Sequence, residues 1–220
     1  MNKIIIIIAL QVLPTILIAQ QQMVIKFEHI ANGKIIVPQK DWYVENYRID
    51  KLKYYISNIN VVTETNTRFQ KNVYLIDAAK NDKIVLKIPK GKIVGLTFLV
   101  GVDSILNCSG AQQGALDPLN DMFWTWNNGY VFFKLDGVYS KDELSKLSYH
   151  IGGYKGAYKA QRQIYLPLQN QTMHTTIVLN IDKLWDCMPI KDTKLISSPG
   201  VLAKKVADNF TNMFTIKNEN

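Results

Sequence analysis

The chain has 220 residues, two cysteines, three histidines and a formal charge of +8, from 26 lysines and arginines against 18 aspartates and glutamates. Its only arginines are Arg48, Arg68 and Arg162, and the basic residues are spread along the chain rather than gathered in one helix or tail. That distribution excludes the footprint of a nucleic-acid binder.

The first element is an export signal. Lys3 supplies a positive charge, Ile4 to Leu10 form an unbroken apolar run, and Ile16-Leu17-Ile18-Ala19 precedes Gln20-Gln21-Gln22. A charged start, an apolar core and a small residue at the cut predict cleavage after Ala19. The apolar run is shorter than the ~20 residues a membrane span needs, and no later segment reaches that length. Residues 1–19 are thus read as a signal peptide and 20–220 as one exported domain without a transmembrane span, in the periplasm or at the cell surface.

The remainder alternates at period two, the signature of strands. Met23, Ile25, Phe27 and His29 share one face of a first strand, and Asn32-Gly33 makes a turn. Strands are predicted over Leu52 to Val62 and Val73 to Ile76, through Ile84, Leu86 and Ile88, and over Ile93 to Val100. Others cover Tyr130 to Leu135, Leu147 to Ile151, Ile164 to Leu166 and Met173 to Ile181. Ser140 and Glu143 have capping-box spacing, which predicts a short helix near 141–147. Leu202, Val206, Phe210 and Phe214 recur every four residues after Pro199, which predicts a C-terminal helix. The fold class is all-β: an antiparallel sandwich or flattened barrel with long loops and one short C-terminal helix.

Cys108 and Cys187 in an exported chain form a disulfide or serve as a pair of metal ligands, and the disulfide is the simpler reading. The long loop holds Trp124 and Trp126, which share a face if the segment is extended. They either plug the core or flank a functional site. Asp103, Asp117 and Asp121 match no calcium-loop spacing, and Asp117-Pro118 reads as turn chemistry. No nucleophile–base order or phosphate-binding loop stands out, so the chain reads as non-catalytic.

Several passages resemble the MbnP family. They include Gly101-Val102-Asp103-Ser104, Gly114-Ala115-Leu116-Asp117-Pro118, Phe123-Trp124-Thr125-Trp126, Phe133-Lys134-Leu135-Asp136-Gly137 and Tyr149-His150-Ile151-Gly152-Gly153. Phe27-Glu28-His29 and Asp208-Asn209-Phe210 extend the likeness to both ends. The resemblance implies an exported copper-binding protein paired with a di-haem cytochrome c peroxidase-like partner. It also implies a tryptophan oxidised to kynurenine beside the metal. Carried onto this sequence, the histidines are His29 and His150, and the modified residue is Trp124 or Trp126, with Trp124 the first choice. Imidazole suits either copper oxidation state and thioether suits Cu(I), which adds Met122 and Met213 as lesser candidates, while His174 sits on a wet face. The competing reading is a metal-free module that binds a carbohydrate or a partner protein through exposed Trp124, Trp126, Tyr130 and Tyr139.

Overall fold

The structure is a computed structural model that describes residues 21–38, 43–44, 47–65, 71–80, 82–88, 91–125, 128–139, 145–169, 173–186 and 188–217. The predicted signal peptide, Trp126 and Cys187 lie outside the described residues.

β1 (Gln22–Ala31) turns through Asn32-Gly33, both at positive φ, into β2 (Lys34–Ile35). β3 (Tyr43–Val44) leads into the long β4 (Tyr47–Thr63), followed by β5 (Val73–Asp77), β6 (Lys83–Lys87) and β7 (Ile93–Val100). The next loop carries α1 (Ser104–Cys108) and ends in β8 (Phe123–Thr125). β9 (Gly129–Tyr139), β10 (Ser145–Gly152), β11 (Arg162–Pro167), β12 (His174–Asn180) and β13 (Leu195–Ile196) come next. α2 (Val201–Asp208), α3 (Phe210–Met213) and β14 (Phe214–Ile216) close the chain.

Among the described residues these strands form two sheets. The smaller runs β14-β12-β1-β2, with β6 also on β1; the larger runs β11-β7-β4-β9-β10-β13, with β3 and β5 on β4 and β8 on β9. The all-β sandwich is as the sequence predicts, and its sheets are mixed: β1 pairs parallel with β12 and β10 parallel with β13.

Alternation decides what faces inward. Met23, Ile25, Phe27 and His29 are buried along β1, as their shared parity requires. They meet the inner face of the larger sheet, where Tyr54 touches Phe27, with ring centroids 6.1 Å apart, and stacks on Phe133 across the β4–β9 pair, also at 6.1 Å. Phe214 and Phe210 close this core against Tyr54, Phe98 and Phe133.

Two local expectations are corrected. Residues 145–147, given to a short helix, open β10 instead, because Leu147 pairs into β9 and is buried in the sandwich; residues 141–144 lie outside the described residues. The C-terminal helix stops at Asp208 and, after Asn209, a single turn follows. Phe214 then joins a strand opposite Leu179, which seats its ring in the core against Tyr54 and Phe98.

The loop between β7 and β8 lies over the outer face of the larger sheet. Tyr55, one position from Tyr54 and so on the opposite face, donates its hydroxyl to the Ala115 carbonyl at 3.0 Å. Tyr130 packs edge-on against Tyr55 and directs its hydroxyl at the Gly110 and Leu116 carbonyls at 3.0 and 2.8 Å. The Lys134 ammonium, nearly buried, binds the Asp121 carbonyl at 3.0 Å and its carboxylate at 2.7 Å. These bonds fix the loop beside β9 and β10.

Candidate functional site

β9 and β10 form a regular hairpin ladder up to Ile151, in which Lys134 lies opposite His150 and Asp136 opposite Ser148. All four side chains project from the outer face. Asp136 accepts two bonds on one oxygen, from Ser148 Oγ at 2.7 Å and from His150 Nε2 at 2.9 Å. Burial alone would raise the Asp136 carboxyl, but the bonds from His150 and Ser148 and the charges of His150 and Lys134 outweigh it and hold the pKa at about 2. An ionised carboxylate can only accept, so Nε2 carries the proton and Nδ1 of a neutral ring keeps its lone pair. Among the described residues Nδ1 has no hydrogen-bond partner. A carboxylate that fixes one ring nitrogen and leaves the other as donor is the usual support of a metal-binding histidine.

Trp124 lies against the end of β10. A Cβ placed on Gly152 would stand 2.6 Å from Cζ3 and 3.0 Å from Cη2 of its indole. The glycine is thus what admits the ring. Gly152 follows His150 by two positions, past the register shift between Ile151 and Gly152, and pairs with Val131. Trp124 therefore packs against the end of β10, beyond the regular ladder that carries His150.

His29 is not part of the outer-face site. Its Nε2 is 3.0 Å from the Tyr54 hydroxyl, it is 3% exposed, and it lies between the two sheets. Desolvation pulls its pKa down to about 4 against the opposing influence of Asp82 and Glu28. Tyr54 pairs with Phe133 and Phe133 with Ile151, all on the inner face, so His150, the neighbour of Ile151, points away from His29. The larger sheet stands between them. The expected two-histidine copper site is thus not assembled: parity assigns each histidine to a face of its own strand but does not say which faces meet.

The other candidates separate as well. Met122 and Met213 are wholly buried, and His174 is exposed at the start of β12 on the smaller sheet. Asp103 caps α1, Asp117 caps the 3-10 turn that follows it, and Asp121 pairs with Lys51 and Lys134. No cluster of three His, Cys, Asp or Glu side chains occurs among the described residues. Cys108 ends α1, exposed, with no disulfide among the described residues. Tyr130 and Tyr139, expected on an exposed aromatic platform, are 0% and 5% exposed because they pack under the loop and into the hairpin. Asp136, Ser148 and Lys134 were not singled out from sequence, although Lys134 to Gly137 lay within a recognised motif.

The family model described as MbnP matches residues 20–202 of this chain. The chain belongs to the MbnP family. It is similar in fold to MbnP from Methylosinus trichosporium, with a TM-score of 0.58 and 18% identity over 76% of this chain and 78% of that one. No curated protein matches it. The MbnP match takes in Lys134, Asp136, Ser148 and His150 of the outer-face site and also Trp124 and Gly152.

Proposed function

We propose that this MbnP-family chain is an exported copper-binding protein, active in copper acquisition or handling, whose metal chemistry centres on His150. The observation that carries this reading is the Asp136–His150 bond, which leaves Nδ1 as a nitrogen donor on the outer sheet face. A copper ion fits the donor chemistry there and does not fit a His29–His150 pair. Residues 1–19 direct export and are removed after Ala19. Trp124 is the residue to be oxidised to kynurenine by a di-haem cytochrome c peroxidase-like partner, which makes this chain a substrate and metal carrier rather than a catalyst. Kynurenine adds amine and ketone groups, donors of a kind suited to copper. The metal-free reading is weakened by the burial of Tyr130 and Tyr139, which removes half of its aromatic platform.

The test is copper content after loading and dialysis of the protein purified from the exported fraction of its native host. Wild type and His29→Phe are expected to retain stoichiometric copper, whereas His150→Ala loses most of it. A Trp124 peptide with the mass of kynurenine would support the oxidation. Copper retention by His150→Ala would overturn the assignment.

A further inference from the structure

The smaller sheet turns its outer face away from both the core and the His150 site. Alternation sends Met23, Ile25 and Phe27 inward and leaves Val24, Lys26, Glu28 and Ile30 of β1 outward. Register extends that face across the sheet. Val24 lies opposite Val85 of β6 and Lys26 opposite Lys83, with Lys87 beyond them opposite Gln22. On the other side, Lys26 lies opposite Thr176 of β12, whose carbonyl accepts the Lys217 N–H at 2.9 Å. Lys217, Thr176, Lys26 and Lys83 thus form one row across the sheet.

The charge of this face is unbalanced. Lys26 and Lys217 both bind the Glu28 carboxylate, at 3.1 and 2.8 Å. Among the described residues Glu28 is the only acid set against Lys26, Lys83, Lys87 and Lys217. Like charges directly opposite, as at Lys26 and Lys83, repel each other, and a face built for stability alone would set an acid against each lysine. Between the lysines the surface is aliphatic. Val85 is 51% exposed, Ile35, opposite Ile30, is 60% exposed, and Val24 and Val178 are half-buried.

Such a face complements an anionic surface, and its composition separates lipid from protein. Protein interfaces concentrate arginine, tryptophan and tyrosine and are poor in lysine. Among the described residues this face carries no arginine, tryptophan, tyrosine or phenylalanine. Lysine ammoniums on flexible apolar stems, spread across an open sheet, suit headgroup phosphates, and each one near an anionic membrane strengthens binding about fivefold.

We propose that the outer face of the smaller sheet docks the protein on an anionic phospholipid surface, with the lysines over the headgroup phosphates. The His150 face, outside the larger sheet, then points away from the lipid. The inference needs the protein outside the cytoplasm but does not depend on copper.

The experiment is cosedimentation of the exported protein with vesicles of equal parts phosphatidylglycerol and phosphatidylcholine, and with pure phosphatidylcholine. Binding to the anionic vesicles alone is expected at ~50 mM salt, with release at about 1 M, where screening confines the field to the surface. Lys83→Glu/Lys87→Glu, on two exposed residues of β6, should weaken binding at least about 20-fold. Lys146→Glu/Lys155→Glu makes the same change of net charge on exposed residues of β10 and the loop after it, and should stay within about threefold of wild type. Both variants should melt within about 3 °C of wild type, since none of the four lysines is in the core. The proposal is overturned if anionic vesicles do not bind, which would leave the face to solvent or an acidic protein. It is equally overturned if neutral vesicles bind as well, or if the two double variants weaken binding alike, which would mean attraction by net charge without a docking face.

Discussion

Gly137→Ala is expected to cost at least ~3 kcal/mol of unfolding free energy and to lower the yield of folded protein. Gly137 lies in β9 between Ile49 of β4 and Leu147 of β10, where the β4 register slips by one residue. A Cβ at this position would stand 1.9 Å from the Arg48 carbonyl oxygen and 3.0 Å from its carbon. Both atoms are backbone, so relief requires β4 and β9 to separate along the ladder that positions Lys134 and Asp136. Gly200→Ala provides the comparison: no atom lies within 4 Å of its Cβ position and its φ of 170° is ordinary extended backbone, so a change within about 1 kcal/mol is expected. Urea unfolding of the two variants checks this. A Gly137→Ala midpoint as close to wild type as that of Gly200→Ala would contradict the packing described for β4 and β9.

The second large effect depends on pH. His29 titrates at about 4 in the folded protein, and an unfolded histidine near 6.5. Between these values the unfolded chain binds more protons, so the unfolding free energy falls as pH falls. The stabilisation is complete above about pH 6.5 and is lost on the way down through pH 4, an effect of about 3 kcal/mol. Asp136, held at about 2, works in the same direction but over a lower window, below the ordinary carboxylate range. Urea unfolding at pH 7, 6, 5 and 4 should show the loss in wild type. It should be nearly absent in His29→Phe/Tyr54→Phe, which removes both hydrogen-bond partners rather than leaving one orphaned. Parallel pH curves for the two proteins would mean that His29 is not buried as a neutral ring.

The fold was legible in the sequence wherever one face of a strand is buried. Met23 to His29, Ile84 to Ile88 and Thr175 to Leu179 alternate cleanly because the sandwich interior lies on one side only. Period two could not reveal sheet order, since the parallel β1–β12 pair joins residues about 150 apart in sequence, and only packing selects it. The same limit explains the histidines: parity placed His29 on an apolar face and His150 opposite Ile151, both correctly. It did not show that a whole sheet lies between them. Part of the outer-face site could have been found earlier. Counting outward equally from a turn centred near residue 142 sets Asp136 opposite Ser148 and Lys134 opposite His150, as the structure does. The contact of Trp124 with Gly152 depends on β8 folding back along β9, which a three-residue strand does not announce in sequence.

The central claim is that copper chemistry in this MbnP-family chain belongs to the outer sheet face at His150 and not to His29 in the core. The most direct measurement is pulsed electron paramagnetic resonance of the Cu(II)-loaded exported protein at pH 7, which detects the remote nitrogen of a coordinated imidazole. The imidazole modulation is expected in wild type and in His29→Phe/Tyr54→Phe, and it should vanish in His150→Gln. Modulation that persists in His150→Gln but disappears in the His29 variant would contradict the account and return the metal to the space between the sheets.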